Sequence, residues 1–351
     1  MKVALPVVGW LSAIAIGMSA MLPAHAQSNV AKNESIYTYK GADRDQRLLQ
    51  EARREGTLTW YTSMAPTESG PMAQAFEKKY GIKVEVWRAV SEKVVQRAIT
   101  EGRARRHAFD VVETNGPELE ILARENLLSA FHSPYFSDLP SFAVPSHGMW
   151  AADRMSVYGV AFNTNVVKRE DMPKTYEGFL DPKWKGKLGV EATDSDWMAA
   201  MLKAMGNERG TSFMRKLADM RPDIRKGHIL LAELVSAGEV PVALTTYQSN
   251  AQTLKRKGGP IEWVAVEPII VRPQAVGVAK NAPHPHAALL FADFILSPDG
   301  QGLLESMGRS PVSTKISSEF SARKYTMIDP AVVLDEAEKW EKAWDGLFVK
   351  K

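Results

Sequence analysis

Three arginines stand where this chain could bind an anion. Arg88 follows a predicted strand, Arg154 begins another, and Arg272 lies in a later extended stretch. The guanidinium group is a planar fork whose N–H donors match the oxygens of a carboxylate or a phosphate. For each arginine alone, an ion pair at the surface or between two parts of the fold remains an alternative. Together the three favour a site for a small organic anion.

Polar side chains also follow the ends of other predicted strands. Residues 193–197 open a predicted helix, and a helix N-terminus with free N–H groups attracts anions. The same residues also fit plain N-caps. Asp194 and Asp196 would oppose an anion if both faced it, and could instead accept hydrogen bonds from an amine; Trp197 is the candidate for a ligand-stacking wall. The other candidates are Ser63, Thr67, Thr114, Asn115, Glu191, Thr193, Ser195, Thr246, Tyr247 and Gln248.

Catalytic motifs are absent from the sequence. The chain has no cysteine, which excludes thiol nucleophiles, cysteine-ligated zinc and disulfide scaffolds. No Gly-x-Ser-x-Gly elbow, His-Glu-x-x-His pair or glycine-rich phosphate loop occurs after residue 26. His284 and His286 precede a predicted helix in a stretch that we interpret as surface. We therefore expect a protein that is not an enzyme and carries no cofactor.

Composition describes an ordinary globular protein of about two domains. Of 351 residues, 45% are hydrophobic and 24% charged, and the net charge is +3. The basic residues form no long run, so no nucleic-acid partner is expected. Residues 1–26 have the basic start, apolar stretch and Ala-x-Ala end of a cleaved signal peptide. No later apolar run approaches a membrane span, so we expect a periplasmic protein that is not membrane-embedded.

Strands and helices must position the candidate residues. Predicted strands at 57–61, 83–87 and 109–113 alternate with helices, which is typical of a mainly parallel sheet covered on both faces. A second α/β unit follows between residues 188 and 266. Residues 27–44 show no apolar period and are predicted to be flexible.

Seven stretches in this order resemble the substrate-binding proteins of ABC importers, extracellular solute-binding family 1, in the branch usually labelled ferric-iron binding. The likeness covers residues 55–315, and the stretches recur in order along the chain. The stretches are TWYTS (59–63), FEKKYGIKV (76–84), FDVV (109–112), GVAFNT (159–164), PKWKGKLG (182–189), PVAL (241–244) and FILSPDGQ (294–301).

The resemblance implies an α/β, two-lobed type II periplasmic-binding-protein fold. Each lobe would be a doubly wound mixed sheet with helices on both faces. Hinge crossings are expected at 154–163 and 264–271. The first lobe would take residues 45–153 and 272–351, and the second would take 164–263. In open α/β sheets ligands lie beyond the carboxyl ends of the strands, so the candidates above would face each other across a cleft.

The function implied is that of a monomeric periplasmic solute-binding protein. It would capture one small ligand, and an organic anion such as a phosphonate, a phosphorylated compound or a carboxylate is favoured over a metal ion. Closure of the lobes would present that ligand to an inner-membrane ABC permease with its ATPase. Delivery to a chemoreceptor or sensor would need the same cleft and stays open.

Ferric iron is the alternative ligand. Iron-binding members of the family typically place two adjacent tyrosines after the strand that here ends at 241–244, and this sequence has Thr246 and Tyr247 there. They also often place a histidine or tyrosine in the loop after the first strand, where residues 62–68 hold neither. If iron binds, Tyr247 and Glu191 are the expected ligands. A secreted enzyme is the alternative of another class.

Overall fold

The computed structural model describes residues 24–317 and 323–349. The predicted signal peptide, residues 1–26, lies outside these ranges except for its last three residues. Within them, no helix is both long and apolar enough to cross a membrane.

The first part of the chain alternates strands and helices as predicted. Glycines in the left-handed conformation end the helices Arg44–Glu55 and Pro66–Tyr80, because Gly56 (φ 72°) and Gly81 (φ 74°) adopt a backbone geometry that side chains disfavour. The elements are α1 (Ala24–Tyr37), α2 (Arg44–Glu55), β1 (Thr57–Thr62), α3 (Pro66–Tyr80), β2 (Lys83–Arg88), α4 (Ser91–Arg103), β3 (Val111–Asn115), α5 (Gly116–Arg124) and β4 (Leu128–Ser129).

The rest of the chain forms a second α/β unit and then returns to the first. The second unit contains β5 (Ala151–Asn163), β6 (Leu188–Glu191), α6 (Ser195–Met205), α7 (Asn207–Asp219), β7 (Asp223–Arg225), α8 (His228–Ala237), β8 (Val242–Tyr247), α9 (Gln248–Arg256) and β9 (Ile261–Val264). The remaining elements are β10 (Ile270–Ala279), α10 (Pro285–Leu296), α11 (Pro298–Ser306), β11 (Ser310–Pro311), β12 (Thr326–Met327), α12 (Pro330–Asp335) and α13 (Ala337–Trp344).

Two long strands join the two lobes. The strand order is β2-β1-β3-β10-β5-β8-β6-β7, with β1, β2 and β3 parallel and β10 antiparallel between β3 and β5. The first half of β5 pairs with β10 in one lobe, and its second half pairs with β8 and β9 in the other. The two-lobed α/β fold with mixed sheets is thereby confirmed. Both long strands carry polar side chains at the junction.

The lobes have separate hydrophobic cores. In the first, the rings of Trp60 and Phe76 each meet Phe291 edge-on at about 5 Å (5.0 and 4.9 Å). The second lobe has one core on each face of its sheet. Each lobe therefore holds its own strand ends on a packed core.

The N-terminal segment differs from its prediction. Residues 27–44 are not an unstructured stretch, because α1 runs to Tyr37 and α2 starts at Arg44. The Tyr37 side chain is fully buried, and its hydroxyl donates to the Ala279 carbonyl at 3.0 Å. Asn33 donates to the Ala282 carbonyl at 3.1 Å. These contacts are distant in sequence, so an apolar period could not predict them.

The C-terminal segment also departs from the expected assignment of 272–351 to the first lobe. α12 packs on α5 of the first lobe, but α13 packs on α6 of the second. Trp344 and Phe348 lie in a core of the second lobe. The chain therefore passes from the first lobe to the second near Glu336, between α12 and α13.

Candidate functional site

The site lies where strand ends of the second lobe meet the crossing strand β10. Glu191 ends β6, Tyr247 ends β8, and Asp194 and Asp196 begin α6. Arg272 projects to them from β10, where it is paired with Ser156 of β5. One side chain of the crossing thus contacts two elements of the second lobe, the start of α6 and the end of β8.

Arg272 binds its carboxylates as a fork. Nε lies 2.7 Å from Asp196 Oδ2 and Nη2 lies 2.5 Å from Asp196 Oδ1, which is a bidentate pair. Nη2 is also 3.4 Å from Asp194 Oδ1, and Nη1 donates to the Tyr247 hydroxyl. Burial lowers the pKa of the guanidinium, but Asp196, the neighbouring phenols and Asp194 outweigh burial and raise it. Arg272 is therefore a permanent cation within the site.

Asp194 is fully buried and receives several donors on one oxygen. Its Oδ1 accepts from the Tyr158 hydroxyl at 3.1 Å and lies 3.3 Å from His228 Nε2. Its Oδ2 is buried without a hydrogen-bond partner among the described residues. An unmatched buried carboxylate oxygen costs free energy. The carboxylate can therefore accept another donor.

His228 is held in a defined orientation beside Asp194. Its Nδ1 lies 2.8 Å from the Thr245 carbonyl, which can only accept, so Nδ1 carries the proton. Burial lowers the pKa of this imidazole, but the charge and hydrogen bond of Asp194 outweigh burial and raise the pKa. A protonated His228 would offset part of the negative charge of Asp194.

Glu191 is held by hydrogen bonds from neutral donors. Its Oε2 accepts from the Thr193 N–H at 2.5 Å and the Thr193 hydroxyl at 2.8 Å, and its Oε1 accepts from the Gly227 N–H at 2.8 Å. The Glu191 side chain is nearly fully buried. Neutral donors leave its negative charge without a counterion in this hydrogen-bond set.

The donor atoms of three side chains are close enough for one metal ion. One ligand atom each of Glu191, Asp194 and His228 lies within 4.8 Å of the others. Carboxylate oxygen and imidazole nitrogen suit several transition metals. The set differs from the expected Tyr247 and Glu191, and it includes a histidine that the sequence did not single out.

Aromatic rings line this group of charges. The ring centroids of Tyr247 and His228 are 4.0 Å apart, and those of Tyr247 and Tyr158 are 5.2 Å apart. The Arg272 guanidinium lies 5.4 Å from the Tyr158 centroid and 5.7 Å from that of Tyr247. Burial is the main cause that raises the pKa of both phenols, so both stay protonated.

The predicted residue Arg154 lies in a separate buried network of the first lobe. Its Nη1 donates to Glu113 Oε1 at 2.7 Å and to Asp153 Oδ2 at 3.0 Å. The Thr62 hydroxyl donates to the other oxygen of Glu113. Because two carboxylates already surround it, Arg154 supports the packing of the first lobe more directly than it supports anion binding.

The end of β3 carries a second polar group. Asn115 Nδ2 donates to Glu118 Oε1 and to Ser91 Oγ, both at 2.9 Å. Burial is the main cause that raises the pKa of Glu118 to about 6, and the Arg272 charge counters it. Thr114 is fully buried, and its hydroxyl has no partner among the described residues. Asn115 and Thr114 thus face different surroundings although they are neighbours.

The other predicted residues divide by exposure. Arg88 and Thr67 are exposed, and Arg88 Nε is only 3.4 Å from the Met64 carbonyl. Trp197 is fully buried and meets Tyr176 edge-on at 5.5 Å, so it cannot offer a ligand its face as predicted. Thr193, Ser195, Thr246 and Gln248 adjoin the site residues in sequence; Thr246 and Gln248 are buried and Thr193 is exposed. Ser63 instead follows β1 in the first lobe, where its N–H donates to the Glu113 carbonyl at 3.1 Å.

Sequence reasoning missed Tyr158, His228 and Glu113. Tyr158 lies inside a predicted strand, where a tyrosine ordinarily packs in the core. His228 follows β7, a three-residue strand that the pattern did not predict. Had β7 been recognised, the rule that selects residues after strand ends would have selected His228.

A family model described as bacterial extracellular solute-binding protein matches residues 59–310. The iron uptake protein A1 of Synechocystis sp. is 21% identical over 281 residues, covering 75% of this chain and 78% of that protein. The major ferric iron-binding protein of Neisseria meningitidis is 23% identical over 280 residues, covering 75% and 83%.

Solved structures share the architecture. Iron-bound HitA from Pseudomonas aeruginosa superposes with a TM-score of 0.71 at 23% identity, covering 82% of this chain and 99% of HitA. The periplasmic binding protein AfuA from Actinobacillus pleuropneumoniae, with fructose-6-phosphate bound, gives 0.71 at 22% identity, covering 84% and 99%. At these identities the likeness shows the fold alone, so the ligand must be argued from the residues of this chain.

Proposed function

Because the chain belongs to the bacterial extracellular solute-binding proteins, we propose that it works in the periplasm, capturing one small ligand between its lobes. The closed form delivers that ligand to an inner-membrane ABC permease with its ATPase. Binding and release, without a chemical reaction, constitute the function.

The observation that carries this proposal is the reach of Arg272. It projects from the crossing strand β10 and contacts the start of α6 and the end of β8 in the second lobe. A ligand bound at these strand ends would touch the crossing itself, so its binding can bias the hinge. A solute-binding protein needs this coupling, because its permease must distinguish the loaded form from the empty form.

The ligand is proposed to be a small organic molecule. The sequence favoured an anion held by three arginines, but Arg154 and Arg272 are each paired with two carboxylates. An anion approaching either guanidinium would displace a buried carboxylate or lie beside it, and like charges at close range are costly. Of the three arginines, Arg88 is the exposed one.

A metal ion is the second candidate cargo, and the close donor atoms of Glu191, Asp194 and His228 favour it. Ferric iron prefers phenolate as well as carboxylate and imidazole ligands. Tyr247 is the single tyrosine at the end of β8, and its hydroxyl already accepts from Arg272. Iron would therefore have to displace that hydrogen bond and remove a phenol proton that burial retains.

A thermal-shift panel tests the proposed function. The protein without residues 1–26 is unfolded and refolded to remove bound ligand, then heated with amino acids, amines, phosphonates, sugar phosphates, dicarboxylates or ferric citrate. A ligand at about 100 times its dissociation constant stabilises the native state by about 2.7 kcal/mol. A shift with one organic compound supports the proposal. A shift with ferric citrate alone, with a tyrosinate absorption band that Tyr247→Phe removes, establishes the iron alternative.

A further inference from the structure

We propose that the ligand carries a protonated amine, and that Asp194 and Glu191 bind it beside the rings of Tyr247 and Tyr158. This inference rests on the proposed function and names the chemical class of the solute. It reverses the charge that the sequence indicated for the ligand.

The balance of charges in the site is the first argument. Arg272 forms its bidentate pair with Asp196, and its contact with Asp194 is longer, at 3.4 Å. Asp194 and Glu191 then remain as buried carboxylates, with His228 as the nearest further group able to become a cation. A ligand cation would offset this surplus, whereas a ligand anion would increase it.

The second argument is the unmatched oxygen of Asp194. This residue is fully buried, and its Oδ2 lacks a hydrogen-bond partner within the described part of the chain. An ammonium group has three N–H donors in tetrahedral directions and can supply this one. A phosphate or carboxylate ligand has no donor for it when ionised.

The Arg272 contacts show that an organic cation fits these surroundings. Its guanidinium lies near two tyrosine rings, at 5.4 and 5.7 Å from their centroids, while it donates to two aspartates. Carboxylates combined with aromatic faces are the usual surroundings for cationic nitrogen. A ligand amine next to Asp194 would use the same rings and the second oxygen of that carboxylate.

Glu191 and the tyrosines favour an amine over a metal ion. Three neutral donors occupy most of the lone-pair positions of the Glu191 carboxylate. One position remains for an ammonium N–H, whereas a bidentate metal bond would have to displace a donor. The Tyr158 hydroxyl donates to Asp194 and the Tyr247 hydroxyl accepts from Arg272, so both phenol oxygens already have partners other than a metal ion. An ammonium needs only acceptors and ring faces, both of which are present.

A fractionated metabolite extract provides the test. Bacterial small molecules are stripped of metals on a chelating resin and loaded at pH 3 onto a cation exchanger, which retains amines whether or not they also carry a carboxyl group. Refolded protein is then titrated at pH 7 with the retained and unretained fractions while its melting temperature is measured. We expect the retained fraction alone to raise it.

Variants locate the effect in the site. Asp194→Asn and Glu191→Gln should each weaken the response roughly ten- to a hundredfold in the concentration needed, as expected for losing a charged hydrogen bond. Asp223→Asn removes a charge from a half-exposed pair with Arg225 in the same lobe and should leave the response unchanged. If circular dichroism shows that Asp194→Asn folds poorly, the response of Glu191→Gln decides whether the site carboxylates bind the amine.

The outcomes separate this inference from the proposed function. If only the unretained fraction raises the melting temperature, the ligand is not an amine, but the proposal that the protein binds a solute stands. A rise in melting temperature that disappears when metals are removed also contradicts an amine ligand and favours a metal ion as the cargo. No response to any fraction, with or without metals, contradicts solute binding itself. A retained-fraction response that survives both variants places the amine elsewhere and overturns the assigned residues.

Discussion

At the scale of single residues, Arg154 shows how a predicted ligand contact becomes a structural one. The side chains of Arg154, Glu113 and Asp153 are almost wholly buried. The pKa of Asp153 is raised to about 7, and burial is the main cause. The positive charge of Arg154 lowers this pKa, and the negative charge of Glu113 raises it further. A buried ion pair contributes modestly as a whole, but removing one partner leaves an uncompensated charge.

Arg154→Met should therefore destabilise the protein by about 3–5 kcal/mol. Urea unfolding at pH 7 measures this change. The matched control is Arg225→Met, which breaks an ion pair about 40% exposed on both sides and should cost less than about 1 kcal/mol. Equal losses in the two variants would show that the buried network does not act as described.

His284 gives a prediction for the dependence of stability on pH. Its Nδ1 lies 3.0 Å from Asp110 Oδ2, and the hydrogen bond to Asp110 is the main cause that raises the pKa of this imidazole. Because the folded pKa lies above the ordinary value of about 6.5, this stabilisation is fully present below that value. It is lost as the pH rises through the raised folded pKa.

His284→Asn should therefore lose more stability at pH 5.5 than at pH 8.5. Urea unfolding at both values checks this difference. His107→Asn, at an exposed position, is the control and should show no such difference. A loss in His284→Asn that is equal at both pH values would mean that the Asp110 hydrogen bond does not favour the charged imidazole.

At the scale of elements, sequence patterns predicted those strands and helices whose formation depends on residues near in sequence. The alternation of β1, α3, β2, α4 and β3 could be read from periodicity and from glycines such as Gly56 and Gly81. The three-residue β7 could not, because it exists only through pairing with β6. The buried state of Trp197 was missed for a similar reason, since Tyr176 and Trp344 that enclose it are distant in sequence.

Trp344 connects the C-terminal helices to the loop between β6 and α6. Its ring is buried in a core of the second lobe, and its Nε1 donates to the Ala192 carbonyl at 2.8 Å, two residues before Asp194. Trp344→Ala should cost about 3–5 kcal/mol through the cavity it creates. The same variant should weaken ligand binding, since it frees the loop that holds Asp194.

Urea unfolding and the ligand titration measure the two effects. Trp340→Ala is the control in the same helix, because Trp340 is only partly buried and its Nε1 bonds to Glu336 within its own segment. It should lose less stability and keep its affinity. Unchanged affinity in Trp344→Ala would mean that the loop is held without this contact.

At the scale of the whole molecule, each lobe has its own hydrophobic core, but neither lobe is built from one continuous segment of the chain. The second lobe was predicted to be residues 164–263, yet its sheet has β5 between β8 and β9, and β5 ends at Asn163. One of its cores also contains Ile328 and Trp344. The first lobe in turn needs β10, which follows β9 of the second lobe in the chain.

A fragment of residues 164–263 should therefore fail to fold. Without β5 its sheet is divided into β9 on one side and the β8, β6 and β7 group on the other, and both new edges are unpaired. Circular dichroism should show little cooperative unfolding, whereas the full chain unfolds cooperatively under the same conditions. A cooperative melt of the fragment would show that the second lobe is an independent folding unit. The two long strands would then serve as linkers alone, and the coupling through Arg272 would lose its structural basis.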